Sequence, residues 1–115
     1  MAHYNRFSVD STYAQLYFDV NLENDSVQAR KALDILGNCY RNDRRKVIHF
    51  SAYAKRVLEY YEKYHNEEAE IYVERAIEII GEGLKDTNLA LSNKNRWELK
   101  DYKERMDLIK ANEGN

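Results

Sequence analysis

Proline is missing from this chain of 115 residues, and glycine occurs only four times. Both residues punctuate all-β folds, so their scarcity points to continuous helices joined by short polar turns. Cysteine occurs once, at Cys39. A lone thiol forms no internal disulfide and builds no thiolate zinc site by itself, which weakens redox and structural-zinc readings. Apolar runs stay well short of the about eighteen residues that a membrane-spanning helix needs. The opening MAHYNRFSVD is polar and lacks the charged and apolar regions of a secretory leader, so the cytoplasm is the expected location. No phosphate-binding loop, dinucleotide glycine fingerprint or serine nucleophile elbow occurs. No cofactor and no small-molecule substrate is expected.

The composition, 43% hydrophobic and 33% charged, suits one folded domain over 1–115, with an ordered core over 10–110 and frayed termini. Helical periodicity recurs along it. Thr12 and Gln15 have capping-box spacing ahead of Tyr13, Leu16, Tyr17 and Val20, which predicts a short first helix with that face in the core. Asp25 and Ser26 are candidate caps for a second helix with Ala29, Ala32, Leu33, Leu36 and Tyr40 inside; Gly37 either stops it or sits within it. Asn42 or Asp43 is the expected cap of a third helix, whose stripe is Val47, Phe50, Ala54, Val57, Leu58, Tyr61 and Tyr64. After the turn at His65 and Asn66, a fourth helix carries Ala69, Tyr72, Val73, Ala76, Ile77, Ile80 and Leu84, with Gly81 and Gly83 marking its end. Leu99, Tyr102, Met106 and Ile109 predict a fifth, starting near Ser92 or Thr87 and fraying from Ala111. Short connections favour antiparallel neighbours, so the expected fold is an all-α, up-and-down bundle of four to five short helices. The ten tyrosines suit the rim of such a core, or a protein contact.

Charge is segregated. Residues 30–56 hold eight basic side chains (Arg30, Lys31, Arg41, Arg44, Arg45, Lys46, Lys55, Arg56) against Asp34 and Asp43. From Glu59 to Asp86 nine acids face only Lys63, Arg75 and Lys85. Within the second block Glu70, Glu74, Glu78 and Glu82 recur at i, i+4, a like-charge spacing that costs a few tenths of a kcal/mol per step on an isolated helix. Such a row calls for a cation. The start of the third helix in the same chain, the basic block of a second copy in a homodimer, or another protein could each supply it. The basic block with Tyr40 and Tyr53 could instead grip nucleic acid by phosphate contacts and stacking, although the chain is mildly acidic overall and shows no recognised reading module.

The peptide RNDRRKVIHF resembles the Arg-x4-6-His element of HEPN domains, helical bundles that include metal-independent ribonucleases. The resemblance implies a phosphate-holding role for Arg44 and a proton-transfer role for His49 at a dimer cleft. It covers only these few residues, and Arg45 stands where the family usually has a polar residue, often asparagine. Glu62 and His65 form one Glu-x-x-His pair, where a ferritin-like metal site needs two, so no metal is expected. Cys39 and His49 lack an orienting third group, and a buried apolar role suits the thiol. Trp97 lies off the main stripe of the last helix, either as an exposed anchor for a partner or as a lid on one end of the core. The expected function is therefore a small non-enzymatic protein–protein interaction module that binds a protein partner or itself. Its contact residues would be Glu70, Glu74, Glu78, Glu82, Arg41, Arg44, Arg45, Lys46 and Trp97. The alternative is nucleic-acid binding or HEPN-like ribonuclease chemistry at 41–49.

Overall fold

The computed structural model describes residues 6–42, 47–85 and 93–113, with side chains over 11–39, 51–82, 84–85 and 96–112. Five helices run along it: α1 Arg6–Asn21, α2 Ser26–Asn42, α3 Val47–Tyr64, α4 Glu67–Lys85 and α5 Asn93–Glu113. Cross-helix pairs give their directions. Arg30 meets Tyr60 while Gly37 meets Tyr53, so α2 and α3 are antiparallel. Glu74 meets Lys110 while Gly81 meets Lys103, so α4 and α5 are antiparallel too. The all-α, up-and-down bundle is thus the observed architecture, with α3 central and packed by α1, α2, α4 and α5. Its extents are 52 × 32 × 19 Å. The shortest is about two helix diameters, so peripheral helices keep one face outside.

Four helices bury the faces that their sequence periodicity indicates. Ala29, Ala32, Leu33 and Leu36 of α2, Ala54, Val57 and Leu58 of α3, Ala69, Val73, Ala76 and Ile80 of α4, and Leu99 and Met106 of α5 form one core. Tyr60 is its largest fully buried side chain, and its hydroxyl accepts from Arg30 Nη1 at 2.9 Å. Tyrosine thus fills the core where a polar partner is in reach of the hydroxyl. Tyr60 packs against Tyr64 and Tyr72 with ring centroids 4.7 and 6.2 Å apart, and Tyr72 donates to Asp34 Oδ1 at 2.7 Å.

The helix ends follow side-chain chemistry. Asp25 Oδ1 accepts the Gln28 amide at 3.2 Å and caps α2. Asn66 Oδ1 accepts the Ala69 amide at 2.9 Å and caps α4. Between α3 and α4, His65 adopts φ 46°, a left-handed conformation, and its ring lies 4.8 Å from that of Tyr61. Two residues therefore reverse the chain. Asn66→Ala removes the acceptor at the start of α4 and is expected to cost about 1 kcal/mol, measured by urea denaturation.

Three expectations need correction. Gly81 and Gly83 do not end α4, which continues to Lys85, and α5 runs past Ala111 to Glu113. Of the two positions left open for Gly37 the structure shows the interior one: it lies inside α2 with ordinary negative φ, and an added Cβ would sit 3.5 Å from Cε2 of Tyr53, in normal van der Waals contact. Gly37→Ala should therefore raise stability by about 0.5–1 kcal/mol through helix propensity, a shift readable as a higher denaturation midpoint.

The third correction concerns α1. It begins at Arg6, so Thr12 is an interior residue and no capping box exists there; Gln15 Nε2 instead reaches Ser11 Oγ at 3.4 Å. The buried face is Ser11, Ala14 and Phe18. Tyr13, Leu16 and Val20, expected inside, are 62%, 62% and 74% exposed. The helix carries apolar residues on both sides, and the core takes the side where Ala14 allows close approach and Phe18 fills the space between helices.

Candidate functional site

The acidic row lies along α4 as its i, i+4 spacing requires: Glu70 is half-buried, and Glu74, Glu78 and Glu82 are exposed. Its observed cation comes from the fifth helix. Lys110 Nζ lies 3.5 Å from Glu74 Oε1, and Ile71, Arg75, Ile77 and Glu78 complete a shallow cleft around them. Exposed pairs of this kind contribute about 0–1 kcal/mol. Arg44, Arg45 and Lys46 lie outside the described residues. So do the side chains of Arg41, in the last turn of α2, and of His49, in the first turn of α3. Both the pairing of the acidic row with the basic segment and the Arg44–His49 pair therefore lie outside the described residues.

Other members of the basic block are tied inward. Arg30 is held above its usual pKa, first by its hydrogen bond to the Tyr60 hydroxyl. Arg56 Nη2 lies 3.3 Å from Asp19 Oδ2, and its Nε is buried without a hydrogen-bond partner. Outside that block, the exposed Lys63 donates to Glu23 at 2.6 Å, the main cause of its raised pKa. Lys31 and Lys55 remain exposed. Tyr53, one of the two tyrosines considered for base stacking, is 2% exposed and packs in the core, so it offers no stacking face. Cys39 is buried and belongs to no disulfide. Among the described residues no group of three His, Cys, Asp or Glu side chains is arranged to hold a metal ion, and no helix is long and apolar enough to cross a membrane.

Tyr72 joins three helices. Burial first, and then its bond to Asp34, push its phenol far above the usual value, while Arg75 lies 5.4 Å from its ring and 4.0 Å from Asp34. This cluster fastens α4 to α2. In the cleft lined by Gln15 of α1, Ser51, Lys55 and Arg56 of α3, and Glu98 and Tyr102 of α5, Tyr102 donates to Glu98 at 3.3 Å. Burial, followed by Glu98, raises the Tyr102 pKa.

The most exposed large apolar side chains among the described residues lie in two places, with Val27 and Ile35 of α2 and Ile71 of α4 exposed to a smaller degree. Trp97 on α5 is 77% exposed, which decides between the two roles considered for it: it closes no part of the core. Leu108, three turns further along the same face, is exposed as well. The other place is α1. Tyr13, Leu16 and Val20 form a continuous outward stripe at i, i+3 and i+7, with Tyr17 at its edge. Tyr17 stacks on Tyr13 at 5.9 Å and donates to Gln28 Oε1 at 2.5 Å, which fixes both rings beside the stripe. The sequence signal for this surface is the presence of apolar residues all round α1, a pattern of helices buried on every side. Among the described residues only one side of it is buried. The chain matches no protein-family model, no curated protein and no solved structure.

Proposed function

We propose that this chain is a non-enzymatic protein–protein interaction module acting in the cytoplasm, and that the outward face of α1 is its principal contact surface. The observation that carries this reading is the exposed stripe of Tyr13, Leu16 and Val20 on a helix whose other face is already committed to the core. Contiguous apolar surface on a small domain is characteristic of association sites. The rigid tyrosine pair Tyr13 and Tyr17 adds large, amphipathic contact area at low entropic cost. Trp97 and the acidic row Glu70, Glu74, Glu78 and Glu82 are secondary surfaces. The acidic row steers an encounter more than it tightens a complex. The cytoplasm is proposed because a single buried thiol suits a reducing compartment.

The test is affinity capture with the tagged chain in its native host, comparing the unmodified protein with Leu16→Glu/Val20→Glu and with Glu74→Lys/Glu78→Lys. The α1 variant should lose its bound proteins, further copies of the chain included, while circular dichroism stays unchanged. The α4 variant should keep them but associate more slowly. If the α1 variant retained every partner and the α4 variant lost them, the principal contact would be the acidic row.

A further inference from the structure

The cleft where α1, α3 and α5 meet is rich in hydrogen-bond donors that have nothing to donate to. Ser51, Lys55 and Arg56 of α3 form one wall, and Gln15 of α1 with Glu98 and Tyr102 of α5 form the others, around a space of about 200 Å³. Ser51 and Lys55 stand one helical turn apart on the same side of α3. Neither has a hydrogen-bond or ion-pair partner among the described residues. Arg56 is the deeper cation, with 12% of its side chain exposed. Its guanidinium carries N–H donors on all three nitrogens. Among the described residues Asp19 alone accepts from it, at 3.3 Å from Nη2, and Nε is buried with no partner. An unpaired buried donor on a charged group is costly, and a native fold keeps few of them.

Glu98 limits which anion fits. It is the one carboxylate among the described residues that line the cleft, and it already accepts from Tyr102 at 3.3 Å. Its remaining lone pairs can accept another hydrogen but repel a bare oxyanion. A ligand that suits both walls therefore presents bare oxygens to Lys55, Arg56 and Ser51, and a hydroxyl to Glu98. Inorganic phosphate keeps at least one hydroxyl at neutral pH. Sulfate and phosphodiesters have none, and a phosphomonoester has lost most of its proton by pH 7. Size points the same way. The space is smaller than the about 300–1,000 Å³ of pockets for drug-sized ligands, and holds one tetrahedral ion with a few waters.

We infer that this cleft is a binding site for hydrogen phosphate, with Lys55, Arg56 and Ser51 donating to its bare oxygens and Glu98 accepting from its P–OH. The site is separate from the outward stripe of α1, although Gln15 places it on the flank of the same helix. So small a ligand binds with a dissociation constant on the order of 0.1–1 mM.

Titration with inorganic phosphate up to about 20 mM, at pH 7 and constant ionic strength, tests this by backbone amide shifts. Saturable shifts should centre on Ser51, Lys55, Arg56 and Glu98, and sulfate should bind at least 10-fold more weakly. Lys55→Gln, at an exposed position, should weaken phosphate binding at least 10-fold and leave thermal unfolding without phosphate unchanged. Lys100→Gln, exposed on α5 outside the cleft, should change neither. Glu98→Gln removes the repulsion, keeps an acceptor for Tyr102, and should bring sulfate to within about twofold of phosphate. Glycerol 3-phosphate, a monoester, should bind more weakly than the free ion; the reverse order would overturn the assignment to hydrogen phosphate. Shifts that do not saturate, equal binding of sulfate by the unmodified chain, or a Lys55→Gln variant that binds normally would overturn the inference and mark any response as that of an adventitious ion only.

Discussion

Phe18→Ala is expected to destabilise the fold by about 3–5 kcal/mol, the range for removing a fully buried phenylalanine whose surroundings relax only in part. Phe18 has no exposed surface and is the largest fully buried side chain of α1 among the described residues. Set against a typical domain stability of about 5–15 kcal/mol, such a loss would bring the chain near its unfolding threshold. Leu16→Ala, half a turn away, is expected to change stability by less than about 0.5 kcal/mol, because Leu16 lies outside the core. The comparison belongs at low protein concentration, where association of any kind adds nothing to apparent stability. Urea denaturation followed at 222 nm should move the midpoint for Phe18→Ala and leave it for Leu16→Ala. Equal losses would mean that α1 is turned differently on the bundle.

Tyr60→Ala is the second large effect, also about 3–5 kcal/mol, since Tyr60 is the largest fully buried side chain and lies where α2, α3 and α4 meet. Tyr60→Phe separates ring from hydroxyl. It keeps the contacts with Tyr64 and Tyr72 but takes the acceptor from Arg30, a charged donor that is half-buried. A hydrogen bond to a charged group contributes about 1.5–3 kcal/mol, and Arg30 recovers part of that from water, so the expected cost is about 1–2 kcal/mol. Thermal denaturation of the two variants checks the split. A Tyr60→Phe variant as unstable as Tyr60→Ala would mean that the Arg30 contact, rather than ring packing, holds this junction.

The helices that were legible in the sequence are those with one apolar face. In α2, α4 and α5 that face repeats at i, i+3 and i+4 with the charged residues on the remaining sides, and Asp25 and Asn66 announce two of the starts. For α1 the periodicity criterion selected the bulkier of two apolar stripes. The choice between them is made by tertiary fit, by whether a small residue such as Ala14 can bring two backbones close, and local pattern does not contain it. Gly81 read as a stop signal, and Gly37 as either a stop or an interior residue, because glycine weakens a helix by about 1 kcal/mol. Both lie in helices that packing sustains, one beside the Tyr53 ring and one beside Lys103.

Among the contact residues, the place of Trp97 off the α5 stripe left open an exposed anchor or a lid on the core, and only the packed bundle decides for exposure. The cation beside Glu74 was not legible either. The hairpin of α3 and α4 suggested the basic segment, whereas Lys110 arrives from a helix whose approach depends on the whole bundle. The α1 surface was overlooked for the same reason that its core face was misassigned. An apolar residue in a single chain is assigned to the core by default, and only the packed bundle shows which apolar residues remain outside.

The most direct test of α1 as the principal contact surface is a comparison of backbone amide shifts by NMR, with and without the proteins that the chain captures from its host. The expected result is change confined to α1 around Tyr13, Leu16, Tyr17 and Val20, abolished in Leu16→Glu, with α4 and α5 unmoved. Shifts centred on Glu74 and Glu78, or none on α1, would contradict it.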